Sequence, residues 1–137
     1  MWTGVRQSSE INSQLAISPD GKFLAYAYEE YTPEPVNKLA VIPVDGGSPA
    51  RILEVPGWTF DCACLRWSPN GNGLQSVVTR DAVSNIWELP LAGGKPKQLT
   101  NFASGLIFDF DWFPDRKQLL LTRGDLSNDV VLLRNFR

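Results

Sequence analysis

Ala16-Ile17-Ser18-Pro19-Asp20-Gly21-Lys22-Phe23-Leu24-Ala25-Tyr26 reads as a strand, a tight turn and a second strand. Pro19 pre-sets φ at the first central turn position. Asp20 suits the second, and Gly21 supplies the positive φ that returns the chain into a hairpin. The stretch recurs twice. Leu65-Arg66-Trp67-Ser68-Pro69-Asn70-Gly71 follows 50 residues on, counting from Ile17 to Trp67. Asp111-Trp112-Phe113-Pro114-Asp115-Arg116-Lys117-Gln118-Leu119-Leu120 follows 45 further on, from Trp67 to Trp112. A period of this size built from strands and turns is the mark of a propeller or a strand solenoid.

Outward from these turns the grammar repeats. A leading strand is expected within residues 1–8, at Trp2 to Gln7, followed by a polar connection from Ser8 to Ser13. A first four-stranded unit spans 14–55, with a proline-bearing loop at 29–37. A second unit spans 61–101, and an incomplete third, with three strands, spans 107–137. Pro43, Gly46, Gly47 and Pro49 match Pro90, Gly93, Gly94 and Pro96 at one constant offset of 47. All four are residues that control backbone shape, which argues for duplication. The third unit has Arg116 where the other turns have glycine; if it keeps φ > 0, the strain is roughly 1 kcal/mol. The fold class expected is all-β: four-stranded antiparallel blades of a partial β-propeller, about three blades. The missing last strand of blade three would be the leading strand.

The composition fits one domain of 137 residues, with 43% hydrophobic and 20% charged residues and a net charge of −2. No basic stripe favours nucleic acid. No apolar run approaches the roughly 20 residues that span a bilayer, so no membrane insertion of this segment is expected. No signal-peptide pattern is visible at the start. The chain has no histidine, which removes histidine-dependent triads and the commonest general base. Cys62 and Cys64, two apart on an expected strand, read as small buried residues. No cofactor or metal is expected. Asp109 and Asp111 share a strand face, but two carboxylates without a third ligand make a poor calcium site; they read rather as turn caps or partners of Arg80 or Arg123.

The pattern apolar-Ser-Pro-Asp/Asn-Gly, a strand, then apolar-Pro-apolar-x-Gly-Gly-x-Pro-x-x-Leu-Thr resembles the WD-type repeats of TolB-like propellers. Thr79-Arg80-Asp81-Ala82-Val83-Ser84-Asn85-Ile86-Trp87, Gly93-Gly94-Lys95-Pro96-Lys97-Gln98-Leu99-Thr100-Asn101-Phe102 and the stretch from Ser127 to Phe136 resemble the C-terminal end of bacterial serine/threonine kinases that carry such a propeller. The resemblance implies a ring of six or seven blades, a partner of protein, peptide or small-ligand type, and a place on the extracytoplasmic (periplasmic) side of a membrane. The kinase's own glycine-rich loop and His-Arg-Asp motif are absent.

Trp67 and Trp112 share the repeat position of Ile17 and are expected in the core. The candidate recognition rim consists of Tyr31, Trp58, Phe60, Asp81, Asn85, Asp125, Asn128 and Asp129. The same residues have a plainer reading, as caps on strand ends. Three functions follow. The first is a non-catalytic interaction or sensor module. The second is an accessory propeller gating a hydrolase or peptidase. The third, an enzyme using Asp81, Asp109 and Asp125, lacks a recognisable constellation. An open three-blade arc exposes two sheet faces of roughly 300 Å² each, on the order of 10 kcal/mol of apolar burial. A homodimer is therefore expected, two halves closing a six-bladed ring through Trp2 to Gln7.

Overall fold

The computed structural model of the chain describes residues 9–31, 33–60 and 64–127. Strands β1 (Ser9–Ile17), β2 (Phe23–Tyr31), β3 (Pro35–Pro43) and β4 (Arg51–Glu54) form one antiparallel sheet in chain order. Strands β5 (Arg66–Trp67), β6 (Gly73–Arg80), β7 (Val83–Pro90) and β8 (Lys97–Gln98) form a second. Strands β9 (Leu106–Trp112) and β10 (Leu119–Gly124) form the described part of a third.

The first-hairpin turns explain the repeat. Gly21 N–H donates to Ser18 O at 2.9 Å, and Ser18 N–H donates to Phe23 O at 2.8 Å. The Ser18 hydroxyl accepts the Phe23 N–H at 2.9 Å and donates to Asp20 Oδ1 at 2.6 Å. Ser68, Asn70 and Gly73 reproduce the network in the second sheet, at 2.8 and 2.9 Å. In the third turn Phe113 has no hydroxyl to offer. There Asp115 Oδ1 accepts from both Lys117 N–H (2.9 Å) and Gln118 N–H (3.3 Å). Arg116 does keep the left-handed conformation, at φ 60°.

The sheets stack through their faces. Ala25 and Ala27 of β2 and Leu39 and Val41 of β3 meet Leu65, just before β5, and Trp67, Leu74 and Val78 of the second sheet. Cys64, Val77 and Ile86 meet Ile107 and Phe110 of the third sheet. Indole N–H groups cross these seams. Trp67 Nε1 donates to Ala16 O, and Trp112 Nε1 to Gln75 Oε1, each at 2.8 Å. Cys64 is buried, as expected, but carries no free thiol.

Several elements depart from the expected pattern. β1 reaches back to Ser9, where a polar connection was expected, because its register shifts between Ile11 and Leu15. A bulge of this kind breaks the period-2 alternation by which strands are read. The expected open loop at 29–37 is largely ladder: Glu30 pairs with Val36 and Tyr31 with Pro35. Pro35 is tolerated because it is the first residue of its strand. Ile17 is 67% exposed, unlike Trp67 at 7%, since no described sheet precedes the first. Leu15 and Ile52 on the same sheet are also exposed. Trp2 to Gln7 and the expected last strand of blade three lie outside the described residues.

Candidate functional site

An antiparallel meander sends alternate turns to opposite ends. The turns 18–21, 68–71 and 113–116 therefore share one rim with the third-to-fourth-strand turns. The bend at 33–34 and the turn at 81–82 share the other rim with the connections between sheets, and the expected recognition residues fall there.

Tyr31 is exposed at a strand end, its hydroxyl donating to Glu29 Oε2 at 2.8 Å. Trp58 is 2% exposed, and its carbonyl accepts from Asn37 Nδ2 at 2.8 Å. Phe60, at φ 49°, is half-buried and packs edge-on against Trp58 at 6.2 Å. Asn85 is buried and accepts from Phe102 N–H at 2.7 Å and the Thr100 hydroxyl at 2.9 Å. Trp58 and Asn85 thus hold the inter-sheet connections, while Tyr31, Asp81 and Asp125 stand at the surface. Asp81 and Ala82 form a two-residue turn with both φ values positive, 50° and 61°. That is the type I′ signature whose twist matches the strands. Asn128 and Asp129 lie outside the described residues.

The arginines are spent differently from expectation. Arg80 stacks on Trp87 at 4.7 Å and Arg123 on Phe102 at 3.9 Å. Asp109 and Asp111 pair instead with Arg66, at 3.3 and 3.8 Å. Among the described residues no group of three His, Cys, Asp or Glu could hold a metal, and no helix is long and apolar enough to cross a membrane. On the first sheet Glu30, with Glu54 at 3.9 Å, faces Lys38, and the hydrogen bond to Glu30 raises the lysine's pKa. Burial pushes the Tyr26 phenol up. The Ser18 hydroxyl, then the Lys22 N–H, holds the Asp20 carboxyl below its ordinary value.

The larger concavities lie on the opposite rim. A cleft of about 530 Å³ opens between the first two sheets, floored by Phe23, Val41, Trp67 and Leu91. A channel of about 440 Å³ adjoins it along the first strands of all three sheets, with Leu15, Ile17, Arg66 and Asp111 in its wall. Pro19, Trp67, Pro69 and Arg116 border both. On the rim singled out from sequence, the depression beside Arg80, Asp81 and Phe102 holds about 270 Å³. In the sequence the three first-hairpin turns look like scaffold alone. The glycine-to-arginine change in the third turn was the signal that they also form walls.

No protein-family model matches the chain. Among solved structures, the β-propeller domain of the trilobed protease of Pyrococcus furiosus superimposes with a TM-score of 0.58 at 20% identity, over 84% of this chain and 34% of that one. The chain is an arc of a β-propeller. Its sheets are blades of the kind expected from the repeats. Pyrococcus horikoshii acylaminoacyl peptidase matches with a TM-score of 0.59 at 16% identity, over 93% of this chain and 20% of that one. Dipeptidyl-peptidase 5 of Porphyromonas gingivalis is 27% identical over 83 residues, 61% of this chain and 12% of that protein. The arc therefore spans a small fraction of each of these relatives. The proteins named are peptidases and not kinases, so the likeness supports the propeller without the kinase-linked assignment.

Proposed function

We propose that this arc belongs to the propeller of a peptidase, where it is a non-catalytic accessory that governs which peptides reach a separate hydrolase domain. The observation that carries the reading is the 83-residue match to dipeptidyl-peptidase 5. The two propeller structures, from a protease and a peptidase, point the same way. The chemistry agrees with the non-catalytic part. The chain has no histidine, and Asp109, one of three carboxylates considered for catalysis, is spent on Arg66. The sensor reading tied to a kinase has no comparable support.

The test is to raise an antibody to the 137-residue chain and capture the parent polypeptide from its source. Chromogenic dipeptidyl substrates are then assayed on the captured protein and on the chain alone. Hydrolysis by the former and none by the latter is expected. A captured polypeptide that transfers phosphate and leaves every peptide intact overturns the reading.

A further inference from the structure

We propose that the cleft between the first two blades binds a small carboxylate with an apolar body, and that Arg116 holds the carboxylate. This does not depend on the peptidase reading.

The argument starts from a conflict in the repeat. Gly21 and Gly71 occupy the equivalent turn position at φ 72° and 76°, where glycine is at ease. Arg116 adopts φ 60° there, a conformation that costs a side-chain-bearing residue about as much as a weak hydrogen bond gains. Strain of this sort persists where something else offsets it, and it clusters at ligand-binding positions. Asp115 Oδ1 accepts the Lys117 and Gln118 N–H groups of this turn, but among the described residues no contact of the Arg116 side chain itself offsets the strain. The Arg116 guanidinium makes no hydrogen bond, ion pair or ring contact among the described residues, and its backbone N–H makes the same turn bond that a glycine would. What it does is border the cleft and the adjoining channel together.

The cleft supplies the rest of the recognition. Its volume of about 530 Å³ lies in the range of small-molecule sites. Phe23, Val41, Trp67 and Leu91 give an apolar floor. Arg51, a second guanidinium without a carboxylate partner among the described residues, also lines it. The one acidic group in the wall, Asp20, bonds to the Ser18 hydroxyl and the Lys22 N–H and keeps its charge, so two guanidinium groups stand there against one carboxylate. An excess of positive charge over an apolar floor selects an anion with a hydrophobic body. A planar guanidinium fork selects a carboxylate, through paired N–H···O bonds.

The experiment uses N-acetyl-L-phenylalanine and its amide, which share the ring and differ in the charge. Both are titrated into the isotope-labelled 137-residue chain, with the amides of Asn70 and Gly71 and the Trp67 indole followed by NMR. The acid is expected to bind at least about tenfold tighter than the amide. Arg116→Gly is expected to abolish that preference while raising the melting temperature, because the turn regains its glycine. Arg116→Lys, which keeps the charge and the strain but loses the fork, falls between. A melting temperature that rises as the preference disappears separates binding from folding. Equal binding of acid and amide by the native chain, no binding of the acid, a preference that survives Arg116→Gly, or a variant that melts lower overturns the proposal.

Discussion

Replacing Ser68 by alanine tests whether the repeated turn is held by the hydroxyl. Ser68 is 3% exposed, and its Oγ accepts the Gly73 N–H at 2.9 Å in a buried site. Removing the oxygen leaves that N–H unsatisfied, which costs about 1–3 kcal/mol. Taking about 2.1 cal/mol/K per residue for the unfolding entropy, a loss near 2 kcal/mol lowers the melting temperature by roughly 7 °C for a chain of this length. The assay is urea unfolding followed by tryptophan fluorescence, with the midpoint falling and the slope unchanged. The third turn contains its own suppressor. Asp115 Oδ1 accepts the N–H groups of Lys117 and Gln118, two and three residues on, with no serine present. Adding Asn70→Asp to Ser68→Ala should therefore recover about half of the loss, since an ionised acceptor strengthens the bond. A Ser68→Ala chain within about 0.5 kcal/mol of the native one, the ordinary spread of surface substitutions, refutes the reasoning. So does a double variant no more stable than the single.

Three further outcomes follow from the same geometry. Hydrogen bonds in the turn depress the Asp20 pKa below 3.8, so its stabilisation is present above the unfolded value and is lost as pH falls through the folded one; urea midpoints measured from pH 6 down to pH 2 should fall less steeply in Asp20→Asn than in the native chain. Trp112→Phe removes the donor to Gln75 Oε1, whose residue is 2% exposed, and should cost about 1–3 kcal/mol by equilibrium unfolding, with Trp112→Tyr no better because the phenol is displaced from the indole nitrogen. Gly73→Ala would place a Cβ 2.9 Å from Glu88 Cγ and 3.1 Å from Leu89 O, so a loss above about 1 kcal/mol is expected, readable in the same assay.

Architecture was legible in this sequence because its turns are spelled in residues with few backbone options. Pro43 and Gly46 against Pro90 and Gly93 fixed the repeat before any side chain was placed. The signal faded where pairing does not depend on residue type. The bulged stretch from Ser9 looks polar and unstructured, yet its backbone bonds continue the ladder. The two prolines near Tyr31 suggested an open loop, yet Pro35 pairs with Tyr31 in the ladder. The candidate site was less legible. Aromatic and amide residues at strand ends look alike whether they recognise a ligand or hold a connection, and Trp58 and Asn85 turned out to hold connections. Burial, which separates those roles, is a property of three-dimensional neighbours about 20 residues away or more, as in the bond from Asn37 to Trp58. The proposed peptidase reading rests on likeness to other proteins and not on any residue pattern within the chain.

The indole bonds across the seams have a consequence for synthesis. Trp67 reaches Ala16, and Trp112 reaches Gln75. In both cases the acceptor was translated before the donor. Each blade is a local meander whose strands pair with their sequence neighbours, so a blade can close soon after it leaves the ribosome, and units made earlier tend to fold first. A newly made blade then finds its docking surface already formed behind it. Growth from the N-terminus adds one sheet at a time to a finished template, and neither indole N–H has to wait for residues not yet made.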